Sequence, residues 1–179
     1  MAVGTVLSVF AWLTLLVNVI TLLLIVVLVR RNISKSAVAG TFGVAASRVA
    51  VVITTAASLG SLYLSEVGDL VPCRWCWIQR MAMYPLAFVL LVGWFTGDRL
   101  VRRYAVPMAV LGLAASTWHY LLQQVGFLSD AKSCSLTAPC SVVYIEKFGF
   151  ISIPWMAGSV FLLAVLLLTG FRSAESRIG

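Results

Sequence analysis

Apolar residues gather into five long runs, approximately Val3 to Val29, Val44 to Leu64, Cys76 to Phe95, Tyr104 to Gln124 and Ile151 to Phe171. Each is bounded by charged or turn residues. A helix needs about 20 apolar residues to cross a bilayer, so each run predicts a transmembrane helix and the fold class is an all-α membrane protein with five spans. The first run lacks a basic leader and a small-residue cleavage site, and is read as a retained helix rather than a secretory signal. Between Val142 and Phe150 the segment VVYIEKFGF is broken by Glu146 and Lys147 and is too short to cross. It predicts a short interfacial helix.

Composition agrees with a lipid solvent. Of 179 residues 61% are apolar and 11% charged, against about 25% charged in soluble chains, which excludes a soluble globular domain and a disordered chain. Thirteen Lys and Arg against six Asp and Glu give +7. In a soluble protein that excess would suggest nucleic acid; here the basic residues lie between apolar runs and read as topology, with the lipid bilayer as partner and no nucleic acid.

Lys and Arg collect in cytoplasmic loops. One alternating set of loops and termini holds Arg30, Arg31, Lys35, Arg99, Arg102, Arg103, Arg172 and Arg177; the other holds Arg74, Arg80, Lys132 and Lys147. Eight against four places the N-terminus outside and the C-terminus in the cytoplasm of a multi-pass cell-membrane protein. The loops after the second and fourth spans then face outward. These carry the four cysteines, so both pairs lie where disulfides persist. Trp75, Trp77, Tyr84, Trp118, Tyr120, Tyr144 and Trp155 cluster toward the same ends as an interfacial belt.

Cys73-Arg74-Trp75-Cys76 enters the third span behind Pro72. A disulfide across two residues closes so small a ring that it adds little stability, and its use is thiol exchange. Cys76 falls in the first helical turn, with Arg80 four residues on along the same face, and both the helix dipole and that charge favour its thiolate. Arg80 inside the membrane boundary either snorkels, pairs or serves a ligand. The second pair, Cys134 and Cys140 in SCSLTAPC, reads equally as a structural clasp or as a second redox station. The lone histidine, His119, lies about five residues, roughly 8 Å, inside the fourth span, at a depth similar to Arg80. It either caps a neighbour or marks a site. Gln79, Gln123 and Gln124 add polar groups at that level, able to bond the carbonyl oxygens of a lipophilic head group. No cluster here suits haem or iron-sulfur, which leaves a diffusible membrane quinone as the economical electron acceptor, with Arg80 and His119 stabilising charge on its oxygens.

CRWCWIQRMAMYP, the second cysteine pair followed by VYIEKFGFISIPWMAG, and a histidine on the helix between the two cysteine loops together resemble the DsbB family of disulfide bond formation proteins, closest to its BdbC branch. The resemblance spans roughly residues 44 to 171. It implies a four-helix catalytic bundle over residues 41–179, preceded by an additional N-terminal helix and basic cytoplasmic loop over residues 1–40 that the familiar four-span architecture lacks. It also implies a disulfide oxidoreductase, a protein dithiol:quinone oxidoreductase. Such an enzyme reoxidises an extracytoplasmic thioredoxin-like dithiol oxidase (DsbA- or BdbD-like) and passes electrons to menaquinone or ubiquinone, supporting disulfide formation in exported proteins. By analogy Cys134 and Cys140 form the disulfide attacked by the partner, with Cys134 as the mixed-disulfide position. Cys140 then exchanges with Cys73, Cys76 faces the quinone, and Arg80 and His119 lie at the quinone site, with no metal. Two other readings stand beside it: a membrane scaffold with two inert disulfides, and a four-thiolate zinc site.

Overall fold

The computed structural model describes residues 3–34, 39–98, 100–125 and 146–170. Among these are five helices: α1 (Val3–Ser34), α2 (Ala39–Glu66), α3 (Arg74–Thr96), α4 (Val101–Gln124) and α5 (Ile153–Gly170). All five are long and apolar enough to span a membrane, and no β-strand occurs among the described residues. The chain is an all-α, multi-pass membrane bundle. Each helix coincides with one apolar run, displaced by a few residues at its ends; α3 begins at Arg74, so Cys73 stands just outside it.

α2, α3, α4 and α5 form a closed ring in which each packs on the next and α5 returns to α2, while α1 lies outside against α5. In lipid, helices associate through close packing and interhelical hydrogen bonds rather than by escaping water, and the contacts follow that rule. Gly112 of α4 lies so close to α5 that an added β-carbon would enter the ring of the fully buried Phe161. On α3 the residues Gln79, Met83, Leu86, Leu90 and Gly93 are buried, an alternating three- and four-residue spacing that makes one helix face. Phe10 of α1 reaches Gly60 of α2, and Leu28 reaches Gly170 at the opposite end. Cys73, the C-terminal parts of α2 and α4, and the N-terminal parts of α1 and α5 therefore share one end of the bundle.

At the other end, Gly97 caps α3 in the left-handed conformation (φ 66°), its N–H donating to the Gly93 carbonyl. The Asp98 carboxylate accepts from the Leu100 N–H at 2.7 Å. This C-cap turns the chain into α4 with almost no loop.

One expectation is corrected. The part of the Val142–Phe150 segment that is described is no helix: Lys147 and Ile151 pair through two backbone hydrogen bonds of 3.0 and 2.9 Å across a tight turn. Phe148 (φ 58°) and Gly149 (φ 76°) both occupy the left-handed region, which makes a turn and cannot continue a right-handed helix. Phe148 is held there against Trp12 of α1, ring centroids 5.1 Å apart. Residues 142–145, with Cys134, Cys140, Lys132, Lys35, Arg99, Arg172 and Arg177, lie outside the described residues.

Candidate redox site

Cys73 precedes the first residue of α3 in extended conformation (φ −71°, ψ 172°), and its sulfur accepts the Cys76 backbone N–H at 3.3 Å. A thiol thus fills the capping role usually taken by Ser or Asp. The two sulfurs are 2.8 Å apart and unbonded, a dithiol one bond short of a disulfide.

His119 of α4 closes over this pair. Its Nε2 is 3.6 Å from the Cys73 sulfur, and its Nδ1 is 2.9 Å from the side-chain amide of Gln79 on α3. Cys73, Gln79 and His119 are 4%, 5% and 1% exposed. At that burial a polar group without a partner costs about 1–3 kcal/mol, and the Gln79–His119 pair satisfies both helices at once. The sequence reading put the favoured thiolate at Cys76; the structure gives the capping position and the imidazole contact to Cys73. The Cys73 thiol is held far below its ordinary value, down to about 4, first by the Cys76 thiol donating to it and then by His119, with burial opposing both.

Arg80 occupies the next turn of α3 and points to α2. Its Nε donates to Ser61 Oγ at 3.0 Å, one terminal nitrogen to Ser65 Oγ at 3.2 Å, and the other to the Ser61 carbonyl at 2.9 Å. The guanidinium also lies 5.6 Å from the centroid of Trp77. Of its five N–H donors, three are engaged in these contacts. Cys76, Arg80 and Tyr84 recur every four residues along one side of α3, and the buried Tyr84 hydroxyl has no partner among the described residues. Aromatic contacts frame this end of the bundle: Trp75 with Trp118 at 6.4 Å, and Trp155 with Tyr120 and Phe150 at 5.1 and 5.5 Å.

The structure therefore brings together Cys73, Cys76 and His119, with Arg80 one turn away. Cys134 and Cys140 fall outside the described residues. Sequence reasoning missed Ser61 and Ser65, the partners of Arg80. A pair of serines four apart near the end of a span, opposite an arginine at the same depth, is the signal that could have found them. It also assigned Gln79 to a head group, whereas its amide is committed to His119.

A family model described as disulfide bond formation protein DsbB matches residues 44–170, which take in α3, α4, α5 and the whole site. The chain belongs to the DsbB family. Among relatives, the disulfide bond formation protein C of Bacillus subtilis is 42% identical over 125 residues, covering 70% of this chain and 91% of that protein. A probable disulfide formation protein of Oceanobacillus iheyensis is 44% identical over 109 residues, 60% of this chain and 75% of its own. One from Coxiella burnetii is 37% identical over 124 residues, 68% and 84% respectively. No solved structure matches. As a DsbB-family member the chain is a disulfide oxidoreductase of disulfide bond formation, and α1 precedes the matched region.

Proposed function

We propose that the protein is a thiol:quinone oxidoreductase that reoxidises an extracytoplasmic thioredoxin-like dithiol oxidase. The observation that carries this reading is the dithiol of buried Cys73 and half-buried Cys76, with His119 on one sulfur and Arg80 one turn beyond the other. Residues 41–179 form the catalytic unit, and residues 1–40 add a helix to it. The N-terminus and both cysteine pairs face outside, and the C-terminus is cytoplasmic.

In this account the partner's thiolate attacks Cys134 of a Cys134–Cys140 disulfide. The partner leaves oxidised, and two thiols remain. Cys140 then attacks Cys73 of a Cys73–Cys76 disulfide, and Cys134 displaces Cys73 from the resulting mixed disulfide. Two electrons have moved inward, and Cys73 and Cys76 are reduced. The Cys73 thiolate, 2.8 Å from the Cys76 sulfur, re-forms the disulfide by attacking it as the electron pair departs through Cys76. His119 Nε2, 3.6 Å from Cys73, stabilises that thiolate and exchanges its proton.

A membrane quinone, menaquinone or ubiquinone, supplies the two-electron, two-proton acceptor. The residues present suit it: Arg80 has N–H donors to spare for a carbonyl oxygen, and the orphaned Tyr84 hydroxyl lies on the same side of α3. Arg80 and Cys76 would hold the acceptor, while His119 would serve the site from the Cys73 side.

Trapping tests the partner half of this reading. A Cys140→Ser variant whose Cys134 is first converted to a mixed disulfide with a small aromatic thiol, then given a reduced thioredoxin-like dithiol oxidase whose second cysteine is replaced, should accumulate a protein–protein mixed disulfide through Cys134 as the small thiol leaves. Absence of that species, with Cys134 reactive to a small disulfide reagent, would favour the scaffold with inert disulfides.

A further inference from the structure

The sulfurs of Cys73 and Cys76 and the imidazole of His119 present three ligand atoms that lie within 4.8 Å of one another. Two thiolates and one imidazole are a donor set for Zn2+, and three protein ligands with a fourth position open is a recognised arrangement. The spacing is close to that demand. For Zn–S of about 2.3 Å and Zn–N of about 2.0–2.1 Å, a tetrahedral ion holds sulfur and nitrogen about 3.6 Å apart and its two sulfurs about 3.8 Å apart. Cys73 Sγ and His119 Nε2 stand at 3.6 Å. The sulfurs, at 2.8 Å, must separate by about 1 Å, a change within reach of a rotation about the Cys76 side chain.

The ring is also held from behind. A metal-bound imidazole keeps its lone pair on one nitrogen and donates from the other, and the partner of that N–H orients the ring. The Gln79 amide nitrogen lies 2.9 Å from Nδ1. A half-turn of that amide about its terminal bond brings its oxygen onto Nδ1–H, and the Nε2 lone pair then faces the two sulfurs.

We infer that the reduced Cys73–Cys76 dithiol and His119 bind one Zn2+ ion, and that the bound ion holds the protein out of its redox cycle. On binding, two S–H protons are released, two Zn–S bonds and one Zn–N bond form, and no electron moves. Disulfide closure then requires the ion to leave. Both thiolates are needed at once, so the disulfide form has no site. This inference depends on neither the identity of the electron acceptor nor the thiol partner, and it differs from a four-thiolate site in needing no second cysteine pair.

The test uses the full chain in detergent with Cys134→Ser and Cys140→Ser, reduced, freed of reductant, and titrated with Co2+ and then Zn2+ in the absence of quinone and partner. One Co2+ per chain is expected, with sulfur-to-cobalt charge-transfer absorption and tetrahedral ligand-field bands that Zn2+ abolishes. Oxidation to the Cys73–Cys76 disulfide should remove the bands. His119→Ala should remove them too, and Gln79→Leu should weaken binding about tenfold to a hundredfold. No charge-transfer band in the reduced protein overturns the site. So do bands indifferent to both His119→Ala and Gln79→Leu, and so does binding that appears only when Cys134 and Cys140 are restored. If His119→Ala does not fold, the Gln79→Leu titration decides.

Discussion

Gln79 on α3 and His119 on α4 meet at 2.9 Å inside the bundle, and this contact turns Nε2 of the imidazole toward the Cys73 sulfur, 3.6 Å away. The hydrogen bond therefore sets which nitrogen serves the dithiol. In Gln79→Leu the ring loses its anchor and one buried nitrogen its partner, a cost of about 1–3 kcal/mol. Thiol oxidation should slow about tenfold, with the affinity for quinone little changed. Steady-state rates at varied quinone concentration separate the two effects.

Arg80 donates to three acceptors, two of them on Ser61 and one on Ser65, a fork that a lysine ammonium cannot reproduce. Arg80→Lys keeps the charge but frees the side chain, so KM for quinone should rise while the dithiol still exchanges with small disulfides. Ser61→Ala, which removes one acceptor and leaves the guanidinium in place, should raise KM less. Equal KM values in the native protein and Arg80→Lys would remove Arg80 from the acceptor site.

Gly112 sits where a β-carbon would overlap the Phe161 ring. Gly112→Ala should destabilise the α4–α5 contact by about 1–3 kcal/mol, the usual cost of overpacking. Phe161→Leu introduced alongside it should recover part of the loss. Thermal unfolding of the single and double variants in detergent measures the coupling.

The Cys73 thiolate has a pH signature. With its thiol value lowered from 9.0 to about 4, chiefly by the Cys76 thiol, Cys73 remains a thiolate as pH falls from neutrality toward 5. Removing that donor raises the value. In a metal-free Cys134→Ser and Cys140→Ser background, adding Cys76→Ala should move the loss of ultraviolet thiolate absorbance to higher pH. Below the new midpoint, the thiolate should decline about tenfold per pH unit.

The five spans were legible because apolar runs near 20 residues have few alternatives in any fold. The similar depth of Arg80 and His119 followed from counting residues along two helices. What counting could not supply was rotation. Gln79 and Arg80 are neighbours in sequence, yet one points to α4 and His119 and the other to α2 and its serines. Only the packing of α3 between those two helices separates them. The favoured sulfur was misplaced for a similar reason: Cys76 does lie in the first turn of α3, but the helix begins at Arg74, so Cys73 is its cap and takes both the Cys76 N–H and the His119 contact. The turn at Phe148 was hidden because a bulky residue rarely takes φ near 58°, and the ring of Trp12 that Phe148 meets belongs to the distant α1.

The central claim is that electrons leave the dithiol for quinone. It is tested most directly by anaerobic reduction of quinone by the purified protein in detergent, supplied with a reduced thioredoxin-like dithiol oxidase and compared with Cys76→Ser. The account predicts one quinone consumed per pair of partner thiols oxidised, and none with the variant. Partner thiols that stay reduced while quinone is untouched, or quinone consumption that persists in Cys76→Ser, would contradict it.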